Sequence, residues 1–319
     1  MGDTHFSGPV YSDAGFIGQG VPLLPGLALR SGRTLWVDST HAEASDNNAG
    51  TDRSKPLSTV DAAIGKCTAN KDDQILVASG HTETVTSTSI ALDVAGVSII
   101  GLGNGLKRPV FTYGAAAATI TVSAANCRWE NCHFVGNFDN VAAAFTIGAA
   151  TDFALVKNTF RDVANNLHFL SIVVTGATNN AADGLTVVGN TWHGLAIAPA
   201  AFISVLGNLS FLKVIGNFTD MASTDDEGSF ITLSSKVLLA AEIGWNKHIV
   251  VGSTGAAVGI FLTGSATTCT GLVHNNYVAS LDTTGELIAT AGTGLKFFDN
   301  LYTGTADTSG KVWPLADGA

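Results

Sequence analysis

The chain has 319 residues, of which 13% are charged and 46% apolar, with 36 glycines and a formal net charge of −10. No run of Lys or Arg offers a nucleic-acid surface, no apolar span reaches the length of a membrane helix, and no basic-then-apolar leader marks a secretory signal. Four cysteines, Cys67, Cys127, Cys132 and Cys269, lack metal-ligand spacing and are too few for a disulfide framework, which fits assembly in a reducing cytoplasm.

Residues 1–33 carry Gly and Pro at short intervals and neither a helical nor an alternating pattern. Their apolar residues are too many for a solvated tail, so the segment reads as an extended arm that lies on a partner. Phe6, Val10, Tyr11, Phe16, Ile17, Leu23 and Leu24 are its expected docking side chains.

Residues 34–110 read as the cap and first coils of a solenoid. Thr34-Leu-Trp-Val-Asp38 and Gln74-Ile-Leu-Val-Ala78 are strand-like, and residues 58–67 form a short amphipathic helix with Ser58 placed to cap it. A helix laid over the first coil would cover apolar interior and unpaired strand edges.

Residues 111–305 repeat a phrase in which an apolar alternating run ends on Asn. It reads Phe153-Ala-Leu-Val-Lys-Asn158, Leu185-Thr-Val-Val-Gly-Asn190, Leu212-Lys-Val-Ile-Gly-Asn217 and Leu295-Lys-Phe-Phe-Asp-Asn300, with looser copies at Asn104, Asn131, Asn246 and Asn275. The spacings of these eight, 27, 27, 32, 27, 29, 29 and 25 residues, signal stacked repeats rather than a globular core. Each copy alternates as a strand with one buried face, and a second strand signal lies between the phrases, as in Phe145-Thr-Ile147 and Phe202-Ile-Ser-Val205. The expected fold is all-β, a single-stranded parallel β-helix in which the eight asparagines pass amide hydrogen bonds from coil to coil. Loops should bulge at Ala177–Gly184 and Ser223–Gly228, and residues 306–319, with Trp313, should close or line the far end.

The dense carboxylate group of the repeats is Asp220, Asp225, Asp226 and Glu227. Paired carboxylates could cleave a glycosidic bond, but a solvated loop explains them as well. Their spacing is not that of a calcium loop, so neither a metal nor a cofactor is expected. His133, His193, His248 and His274 fall near the Asn phrases without sharing one repeat position, and read as surface or corner residues. Trp129, Trp192 and Trp245 are expected to fill the core.

Gly50-Thr-Asp-Arg-Ser-Lys-Pro-Leu-Ser-Thr-Val-Asp-Ala-Ala-Ile64, Ala78-Ser-Gly-His-Thr-Glu-Thr84 and Val97-Ser-Ile-Ile-Gly-Leu-Gly-Asn104 with Arg108-Pro109 resemble the opening of right-handed β-helix proteins of the pectate-lyase-like superfamily. Together with Thr4-His-Phe-Ser-Gly-Pro-Val10 they resemble virion structural proteins of tailed bacteriophages. The polygalacturonase Gly-His-Gly and Arg-x-Lys pattern is missing. Pectate lyases need an Arg base with several carboxylates on one sheet, whereas the repeat body has just Arg128 and Arg161.

The resemblance implies a non-enzymatic virion protein, a capsid decoration or cementing protein on the phage head, docked through its arm on the major capsid protein or another virion protein. A homo-oligomer is expected, with the trimer as its first candidate. The competing reading is a tail spike or fibre that binds or depolymerises host surface polysaccharide.

Overall fold

The alternation before each Asn folds as short parallel strands, which the computed structural model winds into a right-handed parallel β-helix. The structure describes residues 16–18, 21–23, 32–87, 89–195, 201–222, 228–233, 235–250, 260–263, 268–280, 294–303 and 311–313. Two sheets of 10 strands and one of 7 form its sides.

Every sheet keeps one inward column because the strand period is two and the coils stack in register. In the first sheet that column runs Trp129, Leu155, Val187, Val214, Ile243. In the second it runs Phe111, Phe134, Phe160, Trp192, Thr219, His248. The third contributes Ile120, Phe145, Val173, Ile203 and Ile231. All these side chains are buried, and rings at successive coils stack, Phe134 on Phe160 at 4.9 Å and on Phe111 at 5.4 Å. The stack ends at Thr219 and His248, a buried polar pair held at 2.6 Å.

A helix spans Val60–Ile64 and buries Val60, Ala63 and Ile64 in the core. Thr59, not Ser58, is its N-cap: the Thr59 hydroxyl accepts from the Ala62 N–H, and the Ser58 N–H instead bonds Asp46. His81 is fully buried beside it, with Nδ1 accepting from the Ser39 N–H and Nε2 at 3.2 Å from Glu83, whose Oε2 also receives the Val60 N–H. That cluster joins the helix to the first coils.

Phe16–Gly18 and Val21–Leu23 pair as antiparallel strands, so this part of the arm is not a single extended run. Phe6, Val10, Tyr11 and Leu24 lie outside the described residues. Lys311–Trp313 adds antiparallel to Asn300–Thr303, along the outer edge of the second sheet.

The loop at Ala177–Gly184 does not bulge free of the coils. Asn179 Oδ1 accepts from the Asn208 N–H, and Asp183 Oδ1 from the Ser210 N–H, fastening it to the following coil.

The corner between the first and second sheets carries two requirements at adjacent positions. The first residue takes a left-handed conformation: Asn131, Lys157, Gly189, Gly216, Trp245, Asn275 and Asp299 all have φ between 52° and 66°. The next residue points inward, and there Asn158, Asn190, Asn217, Asn246, Asn276 and Asn300 form a hydrogen-bonded column. Each Oδ1 also accepts the backbone N–H one coil earlier, beginning with Cys132.

Three of the eight expected ladder asparagines stand elsewhere. Asn275 occupies the left-handed position and Asn276 the column. Asn131 is likewise left-handed, with Cys132 in the column position, and its amide caps Gly101 O and Gly103 O. Asn104 precedes the 3-10 turn Gly105–Lys107 and makes no side-chain cap. Asn satisfies both corner positions for different reasons, as a ladder amide and as a residue that tolerates left-handed backbone.

Candidate functional site

Two surfaces stand out on the exterior of the coils. One lies on the outer face of the second sheet, where Arg161, His193 and Asp220 follow one another in register on three coils. His193 Nδ1 is 3.7 Å from Asp220 Oδ2, and both side chains are about half exposed. Next to Arg161, Asp162 turns inward at the strand end. Its Oδ1 accepts the Phe169 N–H at 3.0 Å and its Oδ2 the Leu195 N–H at 2.9 Å. Burial outweighs those two bonds and raises the Asp162 carboxyl to about 7. Arg161, Asp162, His193 and Leu195 line a cavity of ≈ 320 Å³.

One coil earlier, His133 lies on the same face, and Arg108 reaches across to it from a preceding turn. The Arg108 guanidinium donates to Thr159 Oγ1 at 2.6 Å and to Lys157 O at 3.4 Å. Burial first, then the positive charges of Arg108, Arg161 and His193, hold the His133 imidazole below its usual value.

The second surface flanks the first sheet in the later coils. Phe211 is 67% and Trp245 61% exposed, both with left-handed backbone, at φ 59° and 60°. Trp245 meets His274 edge-on at 6.4 Å, and His274 stacks on Phe298 at 5.0 Å. Leu239 and Leu272 are exposed nearby, and Glu242 lies 3.4 Å from Lys213.

Several expectations are corrected by these positions. Asp220 belongs to the His193 face; Asp225, Asp226 and Glu227 lie outside the described residues. Trp129 and Trp192 are buried, but Trp245 falls on the corner, where the inward alternation of the strand no longer holds. His248 is not a surface residue. It is fully buried, with Nε2 donating to Gly228 O at 2.9 Å and Nδ1 accepting from the Thr219 hydroxyl, and burial lowers its pKa to about 4.

Among the described residues, no three His, Cys, Asp or Glu side chains converge as a metal site, and no helix is long and apolar enough to cross a membrane. The buried thiols of Cys127 and Cys132 are raised by burial, Cys132 to about 12, which keeps them protonated.

No known protein family and no curated protein matches the sequence. Among solved structures the chain is similar to a rhamnogalacturonan lyase, at 13% identity and a TM-score of 0.40, over 84% of this chain and 87% of that one. The solved structure it resembles is an enzyme, so the expectation that the chain is not an enzyme is withdrawn. The likeness concerns the winding and assigns no reaction to the residues of this chain.

Proposed function

We propose that the chain is a virion structural protein of a tailed bacteriophage, a β-helix module that assembles with copies of itself and seats on the particle through its N-terminal segment. The resemblance of residues 4–10 and 50–109 to such proteins supports the setting. A chain with only 13% charged residues suits a body covered by other protein.

The observation that carries self-assembly is the pair Phe211 and Trp245. Left-handed backbone costs a bulky L-residue roughly 1 kcal/mol or more, and at some of the equivalent corners this chain uses Gly184, Gly189 and Gly216, with Asn, Asp, Lys or Ala at the others. Two large aromatics held in that conformation and left in water cost the isolated chain stability twice over. A second copy of the chain, covering them together with Leu239 and Leu272, recovers the part of that loss that comes from exposure.

Sedimentation of the purified chain over a range of concentrations is expected to give an oligomer, with the trimer first. Changing Phe211→Gly and Trp245→Gly together should dissociate it while raising the melting temperature of the separated chain by a few degrees. A wild-type chain that stays monomeric, or a double variant that associates unchanged, overturns this assembly. Removing residues 1–33 should leave the rod folded and abolish incorporation into particles, as read by mass spectrometry of purified virions. Normal incorporation of the shortened chain would refute the seating role.

A further inference from the structure

On a chain of net charge −10, four cationic or protonatable side chains gather on one face of the second sheet. Arg108, His133, Arg161 and His193 come from consecutive coils, close enough for the other three to act on His133. Their gathering is unfavourable by itself, because like charges repel across a few ångströms.

The carboxylates at hand do little to offset it. Asp162 lines the same cavity, but its two oxygens already accept the backbone N–H groups of Phe169 and Leu195, while Asp220 sits at the edge beside His193. No carboxylate pairs with Arg108 or Arg161 among the described residues. The Arg161 side chain lines the cavity and has no hydrogen-bond partner among the described residues. Leu195 supplies an apolar wall, and Phe218 packs edge-on against His193 at 6.0 Å.

We infer that this face binds an oxyanion-bearing ligand, a carboxylate or a phosphate group, held by Arg161 with His133 and His193 and approached along the Arg108 side. Arg supplies a planar fork that pairs with either group, and a protonated imidazole adds a charge-assisted bond from each side. The inference stands apart from the self-assembly of the chain, which uses Phe211 and Trp245 beside the first sheet.

Glucuronate and inorganic phosphate are the two probes, each titrated against the full-length protein while His133 is followed by NMR. A single anionic group held by one Arg and two His is expected to bind at about 1 mM. Burial, and after it the neighbouring positive charges, holds the His133 pKa down; a bound anion offsets those charges, so binding should raise the pKa and affinity should increase as the pH is lowered. Arg161→Gln should weaken binding at least tenfold, whereas Lys213→Gln on the first sheet should leave it unchanged.

Response to glucuronate alone identifies a carboxylated sugar as the ligand class, and response to phosphate alone identifies a phosphorylated one. No change in His133 with either probe at about 20 mM, or equal binding by Arg161→Gln, overturns the site.

Discussion

Replacing Asn217 by Ala should cost the fold on the order of 3–5 kcal/mol, measured as a drop in the denaturation midpoint. The Asn217 side chain accepts from the Asn190 backbone N–H at 2.9 Å and from its amide at 3.1 Å. It donates to Val187 O at 2.9 Å and to Asn246 Oδ1 at 3.0 Å. Truncation leaves the Asn190 N–H buried without a partner and removes one donor each from the Val187 carbonyl and Asn246 Oδ1, in a corner too tight for easy repair. Each orphaned group costs about 1–3 kcal/mol, against a total stability of roughly 5–15 kcal/mol for a typical domain.

The neighbouring asparagines supply the contrast. Asn276→Ala should behave like Asn217→Ala, since its amide bonds Asn300 Oδ1 and Ile243 O. Asn275→Gly should be close to neutral, because Gly accepts a φ of 52° without penalty. Equal losses at Asn275 and Asn276 would show that the column does not carry the energy assigned to it.

The second large effect is a dependence on pH that two buried groups conceal from one another. Asp162 has its pKa raised from 3.8 to about 7, so its stabilising contribution is complete below pH 4 and is lost as the pH rises through 7. His248 has its pKa lowered from 6.5 to about 4, so its contribution is complete above pH 6.5 and is lost as the pH falls through 4. The two swings are about 4 and 3 kcal/mol at most and opposite in sign, so between pH 4 and 7 they largely offset.

Single substitutions uncover each one. Relative to the wild type, Asp162→Asn should lose stability on acidification from pH 7 to pH 4.5, and His248→Gln should gain it. Urea denaturation across that interval measures both slopes. Two variants whose slopes match the wild type would rule out this assignment.

The winding was legible in the sequence because a strand with one buried face and a fixed corner leaves a mark at every turn, from Phe153 to Leu295. The ladder was legible only in part. At Val273-His-Asn-Asn276 the sequence places two asparagines side by side, and the left-handed corner and the inward column each favour that residue, so spacing could not decide between them. Trp245 was misplaced for a related reason: it interrupts the alternation at the corner, where Gly216 stands one coil before and side-chain direction no longer follows the strand period.

The cationic face left no trace in local motifs. Arg108, His133, Arg161 and His193 are separated by 25 to 32 residues, and only the winding brings them together. A search for ligands at every repeat position passes over them, because His133 and Arg161 lie two register positions apart on adjacent coils.

The amide column also determines how the rod comes apart. An interior turn cannot loosen alone, because its Asn is gripped by the turns above and below, so proton exchange with solvent from Asn158 to Asn300 should occur in one concerted opening. The turns before Cys132, which lack that thread, are free to fray one at a time.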